Sequence, residues 1–304
     1  MRRVFWQHVL ESDMAVPVEQ SLNELTAELV TMLGSANPVE RDEVAYPVLA
    51  NWLAGGVYDD LLVSFGDSIA DGLRPGLGDP ESDTVFRRSF SALVLTESIA
   101  RDNVAHVLPV DAVLSWADRS IGWYTRERDL RRWVAEKGRA SAVAHGADLL
   151  GALAQSRHLH GGHLQVLLDV VAERVSAPTA AVFVDGEDDH LAAAVLTIVQ
   201  RDLIDADHLD AWAAGLGEAL SRPPRHPDDE RWPSSAARNI SNFLRALHVH
   251  LAIGVAPQGA TISFARPPAC RPDLLLALLG AIPRRTPWLY ASPEVADPRA
   301  TTGV

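Results

Sequence analysis

Side chains able to do acid–base or ligand chemistry gather in a few short stretches of the chain. In Arg128 to Leu153, RDLRRWVAEKGRASAVAHGADLLGAL, His145 and Asp148 stand three residues apart, which sets both on one face of a helix. A histidine beside a carboxylate can serve as a base, take a metal, or tie neighbouring helices together. Arg131 and Lys137, just upstream, are available partners for such a tie. A metal centre would need at least one more ligand, and local spacing supplies none. In Asp83 to Leu95, DTVFRRSFSALVL, Phe86, Phe90 and Leu93 make an apolar stripe, with Arg87 and Arg88 to either side of it. A guanidinium placed there can grip a carboxylate or phosphate through two donors, or bridge to an acidic residue of the next helix. Glu187, with Asp188 and Asp189, follows Gly186 ahead of a helical segment, where carboxylates favour the helix dipole. The candidate ligand-binding set is therefore Arg87, Arg88, Arg131, Lys137, His145, Asp148 and Glu187, with no metal and no cofactor assigned.

Other motifs carry less chemistry. LLVSFGDSIADGL, Leu61 to Leu73, spells the Gly-Asp-Ser of a serine esterase, yet Leu61, Phe65, Ile69 and Leu73 recur every four residues. That period makes Ser68 an ordinary helical residue. A GDS-type esterase is disfavoured further because no Gly-x-Asn-Asp segment follows, and the Asp205 to His208 pair falls at a helix start. His158, His160 and His163 surround Gly161 and Gly162, which reads as a turn with exposed imidazoles rather than a complete metal site. His248 and His250, two apart on a helix, face different ways.

The two stretches quoted first, with GEDDHLAAAV from Gly186 to Val195 and NISNFLRALHVHL from Asn239 to Leu251 in the same order, resemble an uncharacterised bacterial family, domain of unknown function 2785. The resemblance runs from about Leu22 to Leu251. It implies a helical fold and brings no activity, cofactor or partner. Family members tend to carry Gly-Trp-Ala-His after the lysine, whereas this chain has Gly138, Arg139, Ala140 and Ser141.

The elements that must position these residues are helices. Leu22, Leu25, Leu29 and Leu33 set the period, and helices are predicted from about Val18 and then around Arg41–Ala54, Tyr58–Leu73, Ser82–His106, Val110–Trp123, Glu127–Val134, Arg139–Gln155, Gly161–Val175, Asp188–Arg201, Ala206–Leu220, Ser234–Ile253 and Arg271–Ala281. Only Ala180–Val184 and Ala260–Phe264 favour strand, too few for a sheet. The expected fold is all-α, with antiparallel helix pairs stacked as an irregular α-solenoid of HEAT-like kind, and a compact multi-helix bundle as the alternative. Residues 1–283 are expected to form one helical domain and 284–304 a proline-rich tail, with Ser221–Pro233 an exposed connector.

Composition narrows the function classes. Forty acidic against 27 basic residues give a formal charge of −13, a field that repels phosphate backbones and anionic lipid, so neither nucleic acid nor membrane is an expected partner. The longest apolar run, Leu274 to Ile282, falls far short of the ~20 residues of a spanning helix. A lone cysteine, Cys270, and the lack of a signal-like start fit a cytoplasmic protein. The expectation is a noncatalytic module that binds a protein or small ligand in a concave groove. The alternative is an enzyme whose site is assembled from several helices around His145 and Asp148.

Overall fold

The computed structural model describes residues 2–221, 234–254 and 267–285. Within them the chain forms α1 (Arg3–Glu11), α2 (Leu22–Met32), α3 (Tyr46–Ala54), α4 (Leu62–Asp71), α5 (Thr84–Ala105), α6 (Val110–Arg126), α7 (Ala142–Ala154), α8 (Gly161–Ser176), α9 (Glu187–Val199), α10 (Ala206–Ser221), α11 (Ser235–Ile253) and α12 (Arg271–Ala281). A π-helical turn, Val39–Ala45, leads into α3, and a 3-10 turn, Asp59–Leu61, leads into α4. The only sheet among the described residues is a hairpin of β1 (Trp133–Val134) and β2 (Gly138–Arg139), so the fold is all-α.

Apolar periodicity explains where the helices bury themselves. On α4, Leu62, Phe65 and Ile69 are buried while Ser68 faces solvent, so the Gly-Asp-Ser letters lie inside an amphipathic helix. Helix α1 adds to the predicted set: Trp6 and Val9 are buried, and the Trp6 indole donates to Glu28 of α2 at 2.8 Å. Successive odd-numbered helices pack on one another, α3 on α5, α5 on α7, α7 on α9 and α9 on α11. The even-numbered ones do likewise, α4 on α6, α6 on α8 and α8 on α10. The core lies between these two rows and includes Phe86, Leu95, Leu150, Leu168, Val195 and Phe243, each worth about 1.5–3 kcal/mol when taken from water.

One expectation gives way. The segment predicted as a helix over Glu127–Val134 is an extended turn running into β1. Its buried carboxylates take the local amides: Glu127 accepts the backbone N–H of Arg128 and Asp129 at 3.0 Å each, and Asp129 accepts that of Ser82 at 3.1 Å and of Arg131 at 3.3 Å. Amides held this way cannot enter an i to i−4 ladder. Residues 180–184, a β-favouring run, pair with no strand among the described residues, as expected, and side chains of α11 take their backbone groups instead. Asn239 accepts from Phe183 N–H at 2.9 Å and donates to the Ala181 carbonyl at 3.1 Å, and Ser235 donates to the Ala180 carbonyl at 3.1 Å. The predicted connector (apart from Ser221), the strand at Ala260–Phe264 and nearly all of the predicted tail lie outside the described residues.

One close approach positions the region described next. Gly146 of α7 meets the ring of Tyr124 of α6 so tightly that a Cβ would overlap it. The phenol then donates to the Val143 carbonyl at 2.8 Å. The Arg174 guanidinium of α8 sits over the same ring, 5.0 Å from its centroid.

Candidate functional site

Of the residues singled out by sequence, most are answered within the chain. Arg88 is wholly buried, and its Nε and Nη2 donate to the two carboxylate oxygens of Glu127 at 2.5 and 2.8 Å. Its Nη1 serves the Pro75 carbonyl and the Thr84 hydroxyl, both at 2.8 Å. Arg131 grips Asp129 at 2.8 and 2.6 Å, and Lys137 reaches both oxygens of Asp83 at 2.8 and 2.6 Å. Arg87 donates to the Val30 carbonyl and edges a cleft of about 750 Å³ shared with Glu28, Glu40 and Asp71. Glu187 is buried at the start of α9 and accepts the Asp185 amide at 2.9 Å.

His145 and Asp148 share a face of α7 but serve different neighbours. The His145 Nδ1 lies 2.8 Å from the Ser89 hydroxyl of α5, and that hydroxyl also donates to the Ala140 carbonyl. A hydroxyl has one proton and a carbonyl has none, so the proton shared between serine and histidine belongs to Nδ1. The ring stands edge-on to Phe90, with centroids 5.2 Å apart. Burial pushes the His145 pKa down to about 4, which leaves the imidazole neutral. Asp148 turns to α9, where its Oδ1 lies 2.6 Å from His190 Nδ1, and that bond raises the His190 pKa.

Two further groups join this neighbourhood. The Tyr46 hydroxyl of α3 donates to Glu97 of α5 at 2.8 Å. Burial raises the Glu97 pKa, with the Asp148 charge adding to it. Tyr46, Glu97, His145, Asp148 and His190 thus come together from four helices. Sequence reading found only two of them, because no local spacing links residues so far apart in the chain. The histidines of the Gly-Gly turn are occupied otherwise: His163 accepts the His160 amide at 3.1 Å, and His158 lies 3.2 Å from the Leu108 carbonyl. Among the described residues, no three histidine, cysteine or acidic side chains are grouped to hold a metal.

A second region was missed by sequence reading. The C-terminal ends of α4, α6 and α8, with the turns that follow them, enclose an open cleft of about 1140 Å³. Arg74, Arg126 and Arg128 are exposed on it, and Leu77, Leu130 and Pro178 supply apolar wall. Arg174 also lines it and is only 4% exposed. One of its nitrogens, Nη1, donates to the Glu127 carbonyl at 3.1 Å, while Nε and Nη2 are buried without a partner. Burial lowers its pKa, yet a guanidinium stays charged. The signal for Arg174 is an arginine on the apolar stripe of α8, three after Val171 and seven after Leu167.

The floor of this cleft is fixed by Glu127. Its carboxylate receives Arg88, the Trp123 indole at 2.8 Å and two backbone amides, while its carbonyl holds Arg174. Five donors on one buried carboxylate hold it in place and leave it no capacity to pair with Arg174.

A family model described as Protein of unknown function (DUF2785) matches residues 73–249, a span that includes every residue lining this cleft. No curated protein and no solved structure matches the chain. Among the described residues, no helix is long and apolar enough to cross a membrane.

Proposed function

The chain belongs to the DUF2785 family, whose description names no activity, and on its own residues we propose that it is a noncatalytic module that binds a small molecule in the cleft at the ends of α4, α6 and α8. The observation that carries this reading is the buried, two-thirds unpartnered guanidinium of Arg174 beside a cavity large enough for a ligand. A buried donor without an acceptor costs roughly 1–3 kcal/mol, more when charged. Such a group calls for an acceptor that the chain does not supply, and a ligand in the adjoining cleft is one. The row-by-row packing of the helices supports stacked antiparallel pairs in the manner of an irregular α-solenoid, and supports treating residues up to 283 as one helical domain.

One observation favours a second reading, an enzyme centred on α7. Tyr46, Glu97, Asp148 and His190 include a carboxyl whose pKa is raised by burial and a histidine whose pKa is raised by its carboxylate partner, the kind of tuning that acid–base chemistry uses. Against it, each of these groups is already bonded to another, and His145 is a neutral, enclosed ring.

Native mass spectrometry of the freshly purified full chain, with metal analysis of the same sample, separates the two. A stoichiometric organic mass that disappears in an Arg174→Gln variant supports the binding module. A bound metal or substrate lost on Asp148→Asn and retained in Arg174→Gln would replace it with the enzyme.

A further inference from the structure

We infer that the ligand of this cleft is a small organic molecule bearing a phosphate group, held by Arg174 at the floor and by Arg74, Arg126 and Arg128 at the mouth. The inference rests on the reading of the cleft as a binding site and adds the chemistry of its occupant. Four arginines line the cleft against two carboxylates, Asp79 and Glu127, and Glu127 is already neutralised by Arg88. The cleft therefore carries more guanidinium than carboxylate charge, and a single carboxylate on the ligand would not balance it. A phosphate monoester carries close to two negative charges at neutral pH and offers three acceptor oxygens. Guanidinium groups match such oxygens through two parallel donors. The two Arg174 donors that are buried without a partner, Nε and Nη2, are the adjacent pair that a bidentate grip uses, and a small side-chain shift at the cleft wall would bring them to a ligand.

The rest of the cleft argues for a small molecule. About 1140 Å³ is far more than one phosphate fills, and Leu77, Leu130, Ala177 and Pro178 give the organic part an apolar wall. A formal charge of −13 over the whole chain repels an extended polyanion, whereas a compact anion feels mainly the local arginines. The last turns of α6 and α8 line the cleft, so the partial negative charge of these helix ends offsets part of the arginine charge when no ligand is present.

Isothermal titration of the full chain with pyrophosphate at constant ionic strength tests the assignment, with chloride as the counter-anion control. The expected result is saturable binding at one site that chloride does not reproduce. Arg174→Gln should weaken it by tenfold or more, and Arg128→Ala, an exposed position whose loss leaves the fold intact, by about threefold to tenfold. Unchanged far-ultraviolet circular dichroism in both variants ties the loss to the site. No saturable binding, or binding that both folded variants retain, overturns the inference. Should native mass spectrometry meanwhile find an uncharged molecule that Arg174→Gln loses, the anion assignment falls while the binding module stands. Absence of any ligand in both experiments removes both.

Discussion

Arg88 and Arg174 both bond to Glu127, one to its carboxylate and one to its carbonyl, and treat positive charge in opposite ways. Arg88 is wholly buried and spends its donors on Glu127, Pro75 and Thr84. Arg174 is nearly as buried, yet two of its three nitrogens have no hydrogen-bond acceptor. Both are arginines on helices of the core, so burial alone does not tell a structural charge from a functional one. The difference lies in whether the chain itself supplies the acceptor. The α7 neighbourhood falls on the closed side of this division, with Tyr46 on Glu97, His190 on Asp148 and His145 on Ser89.

Cutting each arginine back to methionine is the sharpest way to break the comparison. Arg88→Met strands a buried carboxylate and should cost about 3–5 kcal/mol in urea unfolding. Arg174→Met removes a buried charge held by one hydrogen bond, to the Glu127 carbonyl, and by the Tyr124 ring, and should leave ligand-free stability within about 1 kcal/mol or raise it. Equal losses in the two variants would place Arg174 among the structural ties.

Acid titration sharpens it next. In the unfolded chain His145 takes a proton near its ordinary pKa of about 6.5, whereas in the fold burial holds it to about 4. The unfolded state therefore binds more protons between these values. Stability is full above about pH 6.5 and falls as pH drops toward 4, by an amount on the order of 3 kcal/mol. Replacing His145 with Gln should flatten that part of the curve measured by thermal unfolding. A slope that survives the replacement would assign it to other groups.

His190 carries the smallest effect and the opposite sign. Its folded pKa is raised by Asp148, so its contribution is fully present below the unfolded value of about 6.5 and disappears as pH rises through the folded one. The pair is half-exposed, so Asp148→Asn should cost less than about 1 kcal/mol at pH 6 and nothing measurable at pH 9. A loss several times larger and independent of pH would show that Asp148 does more than pair with His190.

The fold was largely legible in the sequence because amphipathic stripes of the kind seen at Leu62, Phe65 and Ile69 on α4 recur through the chain, and tertiary packing respects them. It failed where side chains compete with the backbone. Glu127 and Asp129 look like helix residues in a charged run, but once buried they capture the amides a helix would use. The β-favouring residues 180–184 make no sheet, and two α11 side chains, Asn239 and Ser235, take their backbone groups. The candidate site was less legible. His145 and Asp148 were visible from their spacing, but their actual partners, Ser89 and His190, belong to other helices. Arg174 left one trace, a charge on an apolar stripe, whose meaning depends on a cavity that only the folded chain encloses.

Hydrogen exchange on the full chain, with and without saturating pyrophosphate, tests the central claim most directly. Protection should appear in the segments 74–79, 125–130 and 174–180 that line the cleft, while α7 and the start of α9 stay unchanged. Protection centred on 142–154 and 187–190, or on no segment at all, would contradict the account that the unanswered arginine, rather than the paired groups of α7, marks where this protein binds.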